Sequence, residues 1–282
     1  MFNSRNCIGF ILLVLFISQQ PGASDFAIEA RIAEQLLKNK LNGSAVWLET
    51  GNQKFLSLYM EASGPKNHGA VIILHGMAGH PDWPNVIAPL RTGLPEFGWS
   101  TLSLQMPLLP PDASVAEYVP LLNEVAPRIT SAIKFFHSKG IYNVVIIGHG
   151  LGATMGASFL ASGSRSASVV TAFAGIGMGA HSDYPEFVMA NYLAKINIPV
   201  FDLYGGRDLN SVMNYAHPRF LASRRAKNKA YRQRGVSGAD HFFTGMNKTL
   251  IKHIKNWLNK YVSSVKFNAD EINLNNPAKG KK

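Results

Sequence analysis

The chain has 282 residues, 46% hydrophobic and 16% charged, with a formal net charge of +11 and a single cysteine. That length can bury a sizeable core, and the composition excludes a disulfide-stapled miniprotein, a collagen-like repeat and a low-complexity chain. The positive charge is concentrated late, at Arg219, Arg224, Arg225, Lys227, Lys229, Arg232 and Arg234 and then at Lys252, Lys255 and Lys260, without the interleaved aromatics that would suggest base stacking, so no nucleic-acid partner is expected.

The chain opens with a pattern of export. Arg5 supplies a positive start, Ile8 to Ile17 an apolar run, and Pro21-Gly22-Ala23-Ser24 small residues for cleavage, which predicts a leader over 1–24 with the cut near Ser24. The apolar run falls far short of the ~20 residues that span a bilayer, so no transmembrane anchor is expected once the leader is gone. Cys7 lies within the leader, leaving an exported chain, periplasmic or secreted, without a disulfide. In that compartment the late basic residues read either as a solvated face or as a surface for an anionic envelope component.

From residue 25 to 43 apolar side chains at Phe26, Ile28, Ile32, Leu36 and Leu37 alternate with charges, predicting an amphipathic N-terminal helix. Two alternating runs follow, 44–49 and 54–61, joined by Thr50-Gly51-Asn52-Gln53; they predict an antiparallel hairpin at a sheet edge. From Ala70 onward short continuous apolar strands alternate with helices, the signature of an α/β domain whose mostly parallel central sheet has helices on both faces. The predicted strands are 70–74, 100–104, 143–147, 168–174, 199–204 and 230–236. The predicted helices are 85–97, 121–139, 151–161, 187–195, 211–227 and 245–262, and the domain is expected to run from 44 to 262. Residues 263–282 are polar and rich in Asn, Lys and Pro, a composition that predicts a disordered basic tail.

One pentapeptide organises the chemistry. Gly148-His149-Gly150-Leu151-Gly152 follows the apolar strand Asn143 to Ile147 and opens a helix, the context of the nucleophile elbow G-x-S-x-G, with Gly150 where the serine would stand. Upstream, Val71-Ile72-Ile73-Leu74 ends in His75-Gly76-Met77; downstream come Tyr204-Gly205-Gly206-Arg207-Asp208 and Gly238-Ala239-Asp240-His241. In this order the motifs resemble the α/β-hydrolase superfamily over about residues 44 to 262. The resemblance implies an α/β-hydrolase fold, Asp208 at the acid position, His241 at the base position, and an oxyanion hole from the amides of Gly76 or Met77 and Leu151. A narrower resemblance is to an exported bacterial α/β-hydrolase-like family of unknown function whose elbow reads Gly-His-Gly.

Each residue also has a plain reading. Asp208 can be a turn or cap residue and Asp240-His241 an ordinary loop; their joint placement relative to the elbow favours the triad-like one. Glycine occupies positive φ without strain, and at 150 it leaves space beside His241. Removing a triad serine leaves only about 10³–10⁴-fold acceleration over water, so conventional serine esterase turnover is not expected. Thr154 and Ser158 point away along the helix and do not replace the nucleophile. His75, His80, His149 and His241 lack a ligand spacing, and Gly175-Ile176-Gly177-Met178-Gly179 lacks the Lys-Ser/Thr of a nucleotide loop, so neither metal nor cofactor is expected. Met106 to Ala113 reads either as a cleft wall or as a proline-stiffened connector. Two functions stand side by side: a non-catalytic protein that binds a small ligand in its cleft or an envelope partner, and an enzyme in which Asp208 orients His241 as a general base.

Overall fold

A computed structural model describes residues 24–51 and 53–263; the expected leader, apart from Ser24, and the expected tail beyond Ser263 lie outside the described residues. Eight strands form one sheet: β1 (Ser44–Thr50), β2 (Gln53–Met60), β3 (Gly69–Leu74), β4 (Trp99–Leu104), β5 (Val144–His149), β6 (Val170–Ile176), β7 (Val200–Gly205) and β8 (Tyr231–Val236). Their spatial order is β1-β2-β4-β3-β5-β6-β7-β8. β1 and β2 are antiparallel and β2 meets β4 antiparallel, as the alternating hairpin predicts, and every pairing from β4 to β8 is parallel.

Helices cover both faces: α1 (Phe26–Lys38), α2 (Ile87–Gly93), α3 (Leu122–Ser138), α4 (Leu151–Ala161), α5 (Arg165–Ser168), α6 (Met189–Leu193), α7 (Asn210–Met213), α8 (Ala216–Arg225) and α9 (Asn247–Tyr261). The continuous apolar runs are explained by this double cover. On β3 and β5, Ile72, Leu74, Val144 and Ile146 face one core cluster with α3 and α4 residues such as Ile133 and Ala153. Their neighbours Val71, Ile73, Val145 and Ile147 face the other, with Leu90 of α2 and Leu250, Ile254 and Trp257 of α9. Among the described residues no helix is long and apolar enough to cross a membrane.

Three sequence expectations are corrected. The strand expected from 168 starts at Val170, because Ser164 accepts a hydrogen bond from the Ala167 amide at 3.2 Å and caps the short helix α5 in its place. The helix expected over 211–227 is two, α7 and α8, parted at Asn214-Tyr215, with Pro218 tolerated in the first turn of α8. Arg219, grouped above with the surface cations, is buried against β7, where its guanidinium meets the Asp202 carboxylate at 2.7 and 3.1 Å and the carbonyls of Met178 and Val212 at 2.6 and 3.0 Å. Tyr231 and Gln233 complete the cage by donating to Asp202, at 2.6 and 2.7 Å.

Candidate functional site

The carboxyl ends of the parallel strands, where this sheet type places its ligand crevice, converge on Gly150. Gly150 follows His149 at the end of β5 and precedes α4, with φ 54° and ψ −120°. Its amide donates to the Ile176 carbonyl at 2.9 Å, and its carbonyl accepts from Ala153 at 3.0 Å. The flanking glycines are demanded by contact. A Cβ on Gly148 would lie 2.4 Å from the Gly152 carbonyl oxygen, and one on Gly152 would lie 2.4 Å from the carbonyl oxygens of Leu74 and His75. At Gly150 the neighbourhood is open: the nearest atoms a Cβ would meet are Nε2 and Cε1 of His241, at 3.5 and 3.9 Å.

The loops after β7 and β8 bring the other two residues together. Asp208 sits just past β7, its Oδ2 accepting from the Gly205 amide at 3.0 Å and its Oδ1 from the Leu209 amide at 2.8 Å. His241 Nδ1 lies 2.6 Å from Asp208 Oδ1, so the imidazole donates to the carboxylate and turns Nε2 toward Gly150. Burial disfavours the charged carboxylate, but the hydrogen bond and charge of His241 and the two amides outweigh it and hold Asp208 below the usual aspartate range.

His149 lies beneath this pair. Its Nε2 donates to the His241 carbonyl at 3.1 Å, and the two rings approach with centroids 4.7 Å apart. Burial, reinforced by the neighbouring His241, depresses the His149 pKa to about 4, so the ring is neutral at pH 7. His75, also buried, is pushed down to about 3 by desolvation. Its Nδ1 donates to the Gly76 carbonyl at 2.8 Å and its Nε2 accepts from the Met106 amide at 2.9 Å, which ties the end of β3 to the segment after β4. Among the described residues, no group of three or more His, Cys, Asp or Glu is arranged to hold a metal ion.

A cleft of about 390 Å³ opens above Gly150. Gly76, Met77 and Leu151, the residues expected to supply oxyanion-binding amides, line it together with His149, Gly150 and His241. Its remaining walls are mostly apolar, from Trp83, Val115, Phe187, Leu209, Val212 and Phe242, with Ser211, His181 and Thr154 as polar exceptions. Thr154, expected to be carried away from the elbow, reaches the cleft because it follows Gly150 by four residues, one turn along the same face of α4. The Met106–Ala113 segment stays off this wall: Met106 and Leu108 are buried, and the Leu108 carbonyl accepts from the Asp25 amide at 2.7 Å. It is a connector, the plainer of its two readings.

Sequence reasoning did not single out Gly177. At φ 59° it passes so close behind His241 that a Cβ there would sit 2.7 Å from Cε1 and 2.8 Å from Nδ1. The available signal was the Gly-x-Gly at the end of β6, weighed above only as a nucleotide loop.

Solved structures with the same architecture include Est1E from Butyrivibrio proteoclasticus, which matches at 14% identity and TM-score 0.59 over 79% of this chain and 100% of its own. An esterase from Pyrococcus furiosus matches at 15% identity and TM-score 0.61, over 78% of this chain and 92% of its own. The Thermus thermophilus protein TT1662 matches at 18% identity and TM-score 0.56, over 77% and 99%. At such identities the likeness shows the fold, which is that of the α/β hydrolases. No curated protein gives a match. A family model described as "Protein of unknown function (DUF3530)" matches residues 18–120 and 110–260, and the chain therefore belongs to that family.

Proposed function

We propose that this protein is a hydrolase-fold binding protein: Gly150 stands in for the nucleophilic serine, and the cleft holds a small, largely apolar ligand whose polar head rests against His241 and the amides of Met77 and Leu151. The observation that carries this reading is the open floor of the cleft, where Gly150 presents no side chain and His241 Nε2 is the nearest atom to its missing Cβ, at 3.5 Å. An apolar wall with a few convergent polar groups is the usual make-up of a small-molecule site. Est1E has been solved with ferulic acid bound, which makes ferulate and medium-chain fatty acids sensible first probes. Calorimetric titration should show saturable binding, weakened at least tenfold by Leu209→Arg, which sets a charge in the apolar mouth. Absence of binding across the probe series would count against the reading.

A second reading is favoured by the 2.6 Å contact between His241 and Asp208, which a pure binding site does not need. Here His241, oriented by Asp208, acts as a general base on water or on a substrate proton, and the same amides stabilise developing negative charge. Hydrolysis of a panel of p-nitrophenyl esters by the wild type and by His241→Ala decides between the two. Turnover that disappears in the variant supports the enzyme, and equal background in both supports the binding protein.

The chain is further proposed to be exported, in keeping with the leader pattern and with a Gly-His-Gly elbow as a family trait. Arg224, Arg225, Lys227, Lys229, Arg232 and Arg234, all exposed, are then available to an anionic envelope component.

A further inference from the structure

Ser24 is buried, although it stands where the sequence predicts the end of a leader. Its backbone nitrogen lies 2.8 Å from Glu124 Oε1 and its hydroxyl 2.6 Å from Oε2 of the same carboxylate. Behind them Arg128 of α3 grips Glu29 of α1 through two hydrogen bonds of 2.9 Å, donates to the Gln105 carbonyl at 2.8 Å, and lies 3.7 Å from Glu124. Arg128 and Glu29 are buried and Glu124 is three-quarters covered. The cluster thus holds two carboxylates and one guanidinium, one positive charge short of neutrality in a region where an unbalanced charge is costly.

We infer that Ala23–Ser24 is the processing site and that the α-ammonium group of Ser24 is the missing cation, an ion-pair partner of Glu124 that locks the processed N-terminus into the domain. Hydrolysis by a leader peptidase adds one water across the Ala23–Ser24 bond, leaving a carboxylate on the released peptide and an amine on Ser24. With an ordinary pKa of about 7.7–8.0 that amine is largely protonated at neutral pH. In the precursor the same nitrogen is an uncharged amide, so the pairing strengthens only on cleavage. The site lies one residue before the boundary at 24 expected from the sequence, because a cut after Ser24 would discard both of its bonds to Glu124. Asp25 follows as the cap of α1, its carboxylate accepting from the Ile28 amide at 2.9 Å. Processing at Ala23–Ser24 leaves this cap of the helix that covers β2 intact.

The cleavage rests on the proposed export; the docking of the amine does not. The full chain is expressed in a Gram-negative host, and the mature product is identified by intact mass and N-terminal sequencing. Ser24 is the expected first residue. A product that keeps its leader overturns the export reading and the processing with it, whereas a mature chain that begins at Asp25 overturns this inference alone. Separately, chains starting at Ser24 or at Ala23 are released from a scarless fusion, with and without Glu124→Gln. The Ser24 chain should melt about 2–4 °C higher than the Ala23 chain, and Glu124→Gln should erase that difference. Equal midpoints with Glu124 intact overturn the ion pair. Should Glu124→Gln fail to fold, Ser24→Ala serves instead, since it keeps the ammonium and should keep most of the difference.

Discussion

Position 150 combines the backbone of an elbow with the side chain of a spacer. Its φ of 54° is one that a serine would occupy only under strain, and the space above it leads straight to His241. Gly150→Ser should therefore place a hydroxyl within hydrogen-bonding reach of Nε2 and create a site that reacts with a fluorophosphonate. Peptide mapping of the labelled protein checks this, and an unlabelled residue 150 would show that the loops hold His241 off line. Gly177 is the complementary test. Gly177→Ala drives a methyl group into the imidazole and should cost about 1–3 kcal/mol, visible in the unfolding midpoint. In the Gly150→Ser background it should also abolish the labelling, because the ring can no longer stay between Asp208 and residue 150.

The strands and helices were largely legible because β3 and β5 are buried on both faces and their apolar runs have no competing reading. Asp208 and His241 were legible for a different reason: their order after the elbow fixes which strand ends carry them. The cleft walls were not, since Trp83, Phe187, Leu209 and Phe242 come from separate loops whose meeting depends on tertiary packing. Arg219 was misassigned to the surface, yet a signal existed: Asp202 is a lone carboxylate in the apolar strand Val200-Phe201-Asp202-Leu203 and demands a buried partner. Removing that partner's counter-charge should be severe. Asp202→Ala leaves the Arg219 guanidinium uncompensated inside the domain and should destabilise by about 3–5 kcal/mol in urea titration. Replacing both residues by apolar ones of similar volume should cost much less.

The whole molecule should be labile to acid. His75 and His149 have folded pKa values of about 3 and about 4, below the ordinary 6.5 that each regains on unfolding. Between those limits the unfolded chain binds protons that the folded one refuses. Stability is therefore intact above pH 6.5 and falls as pH drops toward 4 and then 3, by on the order of 1 kcal/mol per pH unit for each ring. Asp208, held below its ordinary 3.8, adds a loss in the same direction at the acid end of that range. Unfolding free energies measured from pH 7 to 4 should show the slope, and His149→Gln should make it shallower. Among the described residues the sheet ends at β8, whose exposed residues include Arg232 and Arg234, and Arg232 and the α9 residue Lys260 both lie over the Tyr261 ring. An unpaired strand edge is a template for another chain, and like charges along it keep two such edges apart. The protein should accordingly behave as a charge-stabilised colloid: freely soluble at low ionic strength, and drawn toward edge-to-edge association as added salt shortens the range of that repulsion.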